Sequence, residues 1–191
     1  MIQDYNLLTS DAQREFMPII QTRDIKKYIV DWKGEYIPIS IFSRKVISKF
    51  QNPEKIVVAR MTLALQAAID TSQRFVGKST VIFDLDNSLN KYYLLALLNS
   101  KMINFWYCNY FENTHLSGGY IRFDIPYLKK IPVVVAEKAV QEQCILLVNQ
   151  IHNLKQQNPK ANTAALEAEV DRLVYEIYEL TEEEIKIIEA S

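Results

Sequence analysis

The sequence predicts an α+β fold, with a mixed-sheet body over residues 1–135 and a C-terminal helical hairpin and tail over 136–191. Three observations predict it. Short extended runs separated by polar and proline-containing stretches fill the first part, without the regular strand and helix alternation of a parallel sheet. From Lys138 onward the apolar positions repeat at helical spacing, interrupted once at Pro159. The charge changes sign at the same place: residues 1–135 hold 17 Lys and Arg against 12 Asp and Glu, and residues 136–191 hold 5 against 11.

The strand candidates, in order, are Phe16–Ile20, the alternating Tyr36–Ile41, the apolar Ile56–Ala59, Leu63–Ile69 and Val81–Phe83, with Pro18 and Pro38 marking edge or irregular strands. Ser43 is placed to cap a short helix running to Phe50. In Asn90–Tyr107, the positions Leu94, Leu95, Leu97, Leu98, Met102, Ile103 and Trp106 lie near helical spacing over a broad face, which predicts one largely buried helix. The polar, glycine-containing loop Asn113–Gly119 follows, then Tyr120–Asp124 and the run Ile131–Val135.

In the tail, Val140, Ile145, Leu147, Val148, Ile151 and Leu154 mark one helix. Leu166, Val170, Leu173, Val174 and Ile177 share a face of a second, and the two are expected to pair antiparallel. Thr181 and Glu184 form a capping box that opens a last helix through Ile185, Ile187 and Ile188.

Composition bounds the function. With 49% hydrophobic residues and only four glycines in 191 residues, the chain can bury one sizeable core. No run approaches the ~18 apolar residues of a membrane helix, and Met1–Ser10 carries Asp4 with no basic region ahead of an apolar stretch, so a cytoplasmic protein is expected. Cys108 and Cys144 lack C-x-x-C spacing, and neither His115 nor His152 lies near them in sequence, which argues against a structural metal site. A net charge of −1 argues against a uniformly basic nucleic-acid binder. The positive body is nevertheless the part that a polyanion would meet.

Sequence signatures of catalysis are missing: there is no Gly-rich phosphate loop, no G-x-S-x-G, no H-E-x-x-H and no Asn-Pro-Pro-aromatic motif. Asp84 and Asp86 stand at a strand end without an acidic partner at nuclease-like spacing, and read first as loop or helix-opening residues. His115 is an exposed loop histidine or a base contact, and His152 a structural residue of the tail helix.

The basic positions are better candidates. Arg23, Lys26 and Lys27 fall between short strands, while Arg44, Lys45 and Lys49 share one short helix. Arg60, Arg74, Lys78, Lys101 and Arg122 are spread among loops and element ends. Such groups hold phosphates or read guanine edges by paired hydrogen bonds, although each taken alone is most simply a solvated surface charge. Tyr92, Tyr93, Tyr107 and Tyr110, at helical spacing, are core or core-rim residues before they are platforms for stacked bases.

Five phrases in order carry a resemblance: Pro18–Tyr28, Lys55-Ile-Val-Val-Ala-Arg60, Ala68-Ile-Asp70, Tyr92–Lys101 and Tyr127-Leu-Lys-Lys-Ile-Pro132. Over roughly residues 16–188 the chain resembles the TaqI-like C-terminal specificity domains of restriction-modification enzymes. Its segment Asp171–Ile185 is similar to the helical ending of type IIG enzymes, single chains that join endonuclease, adenine methyltransferase and target recognition. The resemblance implies a target-recognition domain that approaches duplex DNA opposite a methyltransferase domain and reads base edges in the major groove. The partner domain would flip the target adenine and transfer a methyl group from S-adenosylmethionine.

No methyltransferase or nuclease region is found in these 191 residues. The expectation is therefore a fragment of a longer polypeptide, or a subunit acting in trans, with no catalytic residue and no cofactor of its own. S-adenosylmethionine and Mg are expected in the catalytic regions. The expected partners are double-stranded DNA and a methyltransferase/endonuclease region, not a membrane. Placement in loops or at element ends selects Arg23, Lys26, Arg44, Lys45 and Arg60 as DNA-binding candidates, together with Arg74, Lys78, Lys101, His115 and Arg122. Two other readings stay open: a protein-interaction module of a phage-defence complex that does not read DNA, and a compact hydrolase or nuclease built on Asp84 and Asp86.

Overall fold

A computed structural model describes residues 15–44, 47, 54–77, 80–83, 89–112 and 116–191. The body opens with β1 (Phe16–Ile20), β2 (Ile25–Lys26), β3 (Ile29–Val30) and β4 (Tyr36–Pro38). It continues through β5 (Lys55–Ala59), β6 (Met61–Thr62), β7 (Ala67–Asp70), β8 (Phe75–Val76) and β9 (Thr80–Phe83). Two helices follow, α1 (Lys91–Asn99) and α2 (Lys101–Tyr110), then β10 (Ile121–Arg122) and the short α3 (Ile125–Leu128). The tail is α4 (Lys138–Gln157), α5 (Ala164–Ile177) and α6 (Glu182–Glu189). The fold is α+β, as the sequence predicts.

Strand β5 is central. It pairs antiparallel with β7, Lys55 opposite Asp70, and antiparallel with β9, Ile56 opposite Phe83. All five of its residues are buried. Ile56 and Val58 face the main core with Leu94, Leu98 and Ile103, while Val57 and Ala59 face a second cluster with Ile20, Ile25 and Val76. Cover on both faces explains why this strand reads as an uninterrupted apolar run rather than an alternating one. On the far side, β1 pairs antiparallel with β4 and parallel with β8.

The main core does not stop at the body. Cys144, Val148 and Ile151 of α4 and Val170, Leu173 and Val174 of α5 belong to the same cluster as Ile56 and Leu97. Burial pushes the Cys144 thiol up to about 11, as expected for a thiol packed as a small hydrophobe. The turn between β2 and β3 also leans on the tail. Tyr28 is held at a φ of 68°, a left-handed conformation uncommon for a bulky residue. Its amide donates to the Ala67 carbonyl at 2.9 Å, and its own carbonyl accepts from His152 Nδ1 at 2.9 Å. With Nδ1 donating, His152 Nε2 accepts from the Gln156 amide at 2.8 Å.

Several expected boundaries shift for local reasons. The single helix expected over Asn90–Tyr107 is two helices, because Ser100 is extended and caps the second. Its hydroxyl donates to the Leu97 carbonyl at 2.7 Å and accepts from the Ile103 amide at 3.2 Å. Asp171 of α5 takes the Lys101 amide at 2.8 Å, so an orphan donor of the new helix is satisfied from the tail. The strand expected from Leu63 begins only at Ala67, and the one expected to reach Ile41 ends at Pro38, where a 3-10 turn over Ile39–Ile41 takes over. The run Ile131–Val135 takes no regular secondary structure. The Thr181–Glu184 capping box forms as expected. Most of the short helix expected from Ser43 to Phe50 lies outside the described residues.

Candidate nucleic-acid interface

Immediately after β5 the chain leaves the core. Arg60, Met61, Thr62 and Leu63 run outward, and Thr62 Oγ1 turns them back by donating to the Ala64 carbonyl at 2.6 Å. Strand β6 pairs antiparallel with β10, Met61 opposite Arg122 and Thr62 opposite Ile121, making a small two-stranded ribbon. Its inner side is fixed by Ile121 and Phe123, 4% and 0% exposed, with the Phe123 ring 4.8 Å from that of Tyr107. The Tyr107 hydroxyl donates to the Arg122 carbonyl at 2.8 Å. Burial, reinforced by the nearby Asp124, holds this phenol well above its ordinary range, so it remains a donor. Gly118 and Gly119, at φ of 82° and 77°, make the turn that precedes the ribbon, and the Leu116 amide closes it onto the Tyr120 carbonyl at 2.7 Å.

Arg122 lies on the ribbon opposite Met61, and Arg60 lies just before it, its carbonyl accepting from the Phe123 amide at 2.8 Å. Arg60 is half exposed and its Nε donates to Asp124 Oδ1 at 2.5 Å, which steadies the guanidinium while leaving part of it in solvent. Arg122 is exposed, on the same face as Met61, and makes no ion pair with any described residue. The ribbon therefore carries an exposed guanidinium at Arg122, and the adjoining Arg60 is braced by Asp124.

The other candidates go elsewhere. Lys26 is exposed on the β2–β3 hairpin, and Arg44 is exposed just beyond the 3-10 turn. Arg23 pairs with Glu35. Arg74 donates to the buried Asp70 at 2.8 Å and stacks over Trp32 at 5.0 Å, at the edge of a groove of about 350 Å³ between the body and α4. Lys101 pairs with Glu189 of α6 and so lies on the helical side. Lys45, Lys78 and His115 lie outside the described residues, as do Asp84 and Asp86.

Sequence reasoning passed over Met61, Leu63 and Tyr120, which are 42%, 61% and 46% exposed beside the two arginines. The alternation of Ile121, Arg122 and Phe123, buried, exposed and buried, was the available signal. Among the described residues no group of three or more His, Cys, Asp or Glu is placed to hold a metal ion, and no helix is long and apolar enough to cross a membrane.

The exposed ribbon thus continues from β5 of the antiparallel β7-β5-β9 sheet and packs on Tyr107 of α2. The family of TaqI-like C-terminal specificity domains matches residues 17–133, more than half of the chain and the whole of the ribbon. The chain belongs to this family. It is also 28% identical over 145 residues to a protein of Methanocaldococcus jannaschii named "Putative type II restriction enzyme and methyltransferase RM.MjaORFECS2P". That match takes in 71% of this chain but spans only 12% of the relative's length.

Proposed function

We propose that this chain is the sequence-reading part of a type IIG-like restriction-modification enzyme, directing an adenine methyltransferase and endonuclease to its DNA site. The observation that carries the proposal is the ribbon. Arg122 stands on an exposed two-stranded element, with Arg60 immediately before its first strand, inside the segment that matches the specificity family. A two-stranded ribbon fits the major groove, and arginine is the side chain that reads guanine there by paired hydrogen bonds.

Phosphate contacts away from the ribbon would fall to the exposed Lys26 and Arg44, and Lys45, Lys78 and His115, outside the described residues, stay in the proposed set. Arg23, Arg74 and Lys101 would reach DNA only by exchanging their acidic partners. The chemistry belongs to methyltransferase and nuclease regions of the same polypeptide or complex. Those regions, in the cytoplasm, would hold S-adenosylmethionine and Mg, with none held by this chain.

The test is a salt titration of the chain on random duplex DNA, followed by fluorescence anisotropy. Affinity is expected to fall linearly on logarithmic axes with a slope of about −2 to −4, the release of a few phosphate counterions. Arg60→Ala and Arg122→Ala should each make the slope shallower. No binding at low salt overturns the proposal.

A second reading, a protein-interaction module, is favoured by a different observation. An apolar groove of about 530 Å³ lies between α2 and α6, where Tyr110 and Ile187 are 63% and 59% exposed. In that reading the chain binds no duplex DNA at any salt concentration.

A further inference from the structure

The outward face of the β6–β10 ribbon carries more than arginine. Met61 stands in register with Arg122, and both are exposed. Leu63 follows Met61 by two residues and Tyr120 precedes Arg122 by two, so by strand alternation they extend the same face. The glycine turn lies against them: a Cβ on Gly119 would sit 3.7 Å from Leu63 Cδ2, and one on Gly118 would sit 3.6 Å from the Tyr120 ring. Three exposed apolar side chains thus line the face that carries Arg122, which has no acidic partner among the described residues.

The combination narrows what can cover it. A purely apolar partner would strand the Arg122 charge, and a phosphate backbone would leave Met61 and Leu63 against charged oxygen. A thymine beside a guanine satisfies both. In the major groove guanine presents two acceptors, O6 and N7, to one guanidinium, and thymine presents its C5-methyl to an apolar side chain.

We propose that Arg122 reads a guanine and that Met61 and Leu63 read the C5-methyl of an adjacent thymine, so that the recognised sequence contains a guanine and a thymine side by side. This rests on the DNA-recognition reading above and names its substrate. Tyr120 packs along the same face and orients the contact.

Duplexes bound by the 191-residue chain are selected from a random pool, and each thymine of the enriched sequence is then replaced in turn by deoxyuridine, which lacks only the methyl group. At one thymine next to a guanine, the replacement weakens binding about fourfold, the effect of removing one methyl from contact. The double variant Met61→Ala, Leu63→Ala binds the thymine and deoxyuridine duplexes equally. Replacing the neighbouring guanine by 7-deazaguanine weakens the wild type and leaves Arg122→Ala unaffected. An enriched sequence that tolerates every deoxyuridine replacement, or a thymine preference that persists in the double variant, overturns this inference and leaves the recognition reading standing. Enrichment of no sequence overturns both. Because the deoxyuridine comparison is made on the wild-type chain, poor folding of a variant cannot produce the result.

Discussion

Replacing Asp70 by asparagine removes the charge on which one end of the central sheet depends. Asp70 is fully buried, and its Oδ2 accepts from Lys55 Nζ at 2.6 Å and from the Arg74 amide at 3.1 Å. Its Oδ1 accepts from Arg74 Nη1 at 2.8 Å and from the Ser72 amide at 3.3 Å. Lys55 is only 2% exposed, and burial already lowers its pKa against the opposing pull of Asp70. Without the carboxylate, an ammonium inside the protein faces a neutral amide whose NH₂ is a second donor. Breaking a buried pair in this way costs about 3–5 kcal/mol.

At roughly 2–4 °C per kcal/mol for a chain of this size, Asp70→Asn should lower Tm by about 6–20 °C, with a matching fall in the urea midpoint. Adding Lys55→Met removes the stranded charge and should recover part of the loss. A loss below about 1 kcal/mol, or no recovery in the double variant, would refute the reasoning that this ion pair is held by mutual need rather than by packing alone.

Other expectations follow from the same structure. Asn99 closes two hydrogen bonds on the Ala67 backbone, at 2.9 and 3.0 Å, so Asn99→Ala should cost about 2–4 kcal/mol in urea unfolding. Thr181→Ala removes a capping box and should cost about 1 kcal/mol, with faster amide exchange confined to α6. Burial raises the Asp171 carboxyl above 3.8, so its proton is held more tightly in the folded than in the unfolded chain. That contribution to stability is complete below the unfolded value and is lost as the pH rises through the raised folded value. Asp171→Asn keeps the oxygen that accepts from the Lys101 amide, and unfolding followed over several pH values should show the wild type losing ground to the variant across that window only.

Elements with a long period of their own were legible in the sequence. The three tail helices carry an apolar face over several turns, and β5 after Lys55 is an unbroken apolar run because both its faces are covered. The two-residue strands β2, β3, β6, β8 and β10 were not legible, since two residues cannot display a period and such strands form only where the rest of the fold supplies a neighbour. The break at Ser100 was written as a serine between two helical runs, but its second half, the Asp171 carboxylate that takes the Lys101 amide, lies 70 residues beyond Lys101.

The candidate site divides in the same way. Arg60 and Arg122 read alike as cations near loops, and only the pairing of β6 with β10 shows that Arg122 stands opposite Met61 while Arg60 sits just outside the ribbon. Arg74 and Lys101 read identically in sequence, yet one is held by Asp70 and Trp32 and the other by Glu189, a residue 88 positions away. Local sequence states the charge of a side chain; its partners are set by the tertiary fold.

The most direct test of the central claim is the base preference of Arg122→Ala measured against that of the wild-type chain on the enriched duplex and its single-base variants. Loss of discrimination at one guanine, by about 5- to 150-fold, with the other positions unchanged, is the predicted result for a side chain that reads a base. Equal affinities and an unchanged preference at every position would contradict it.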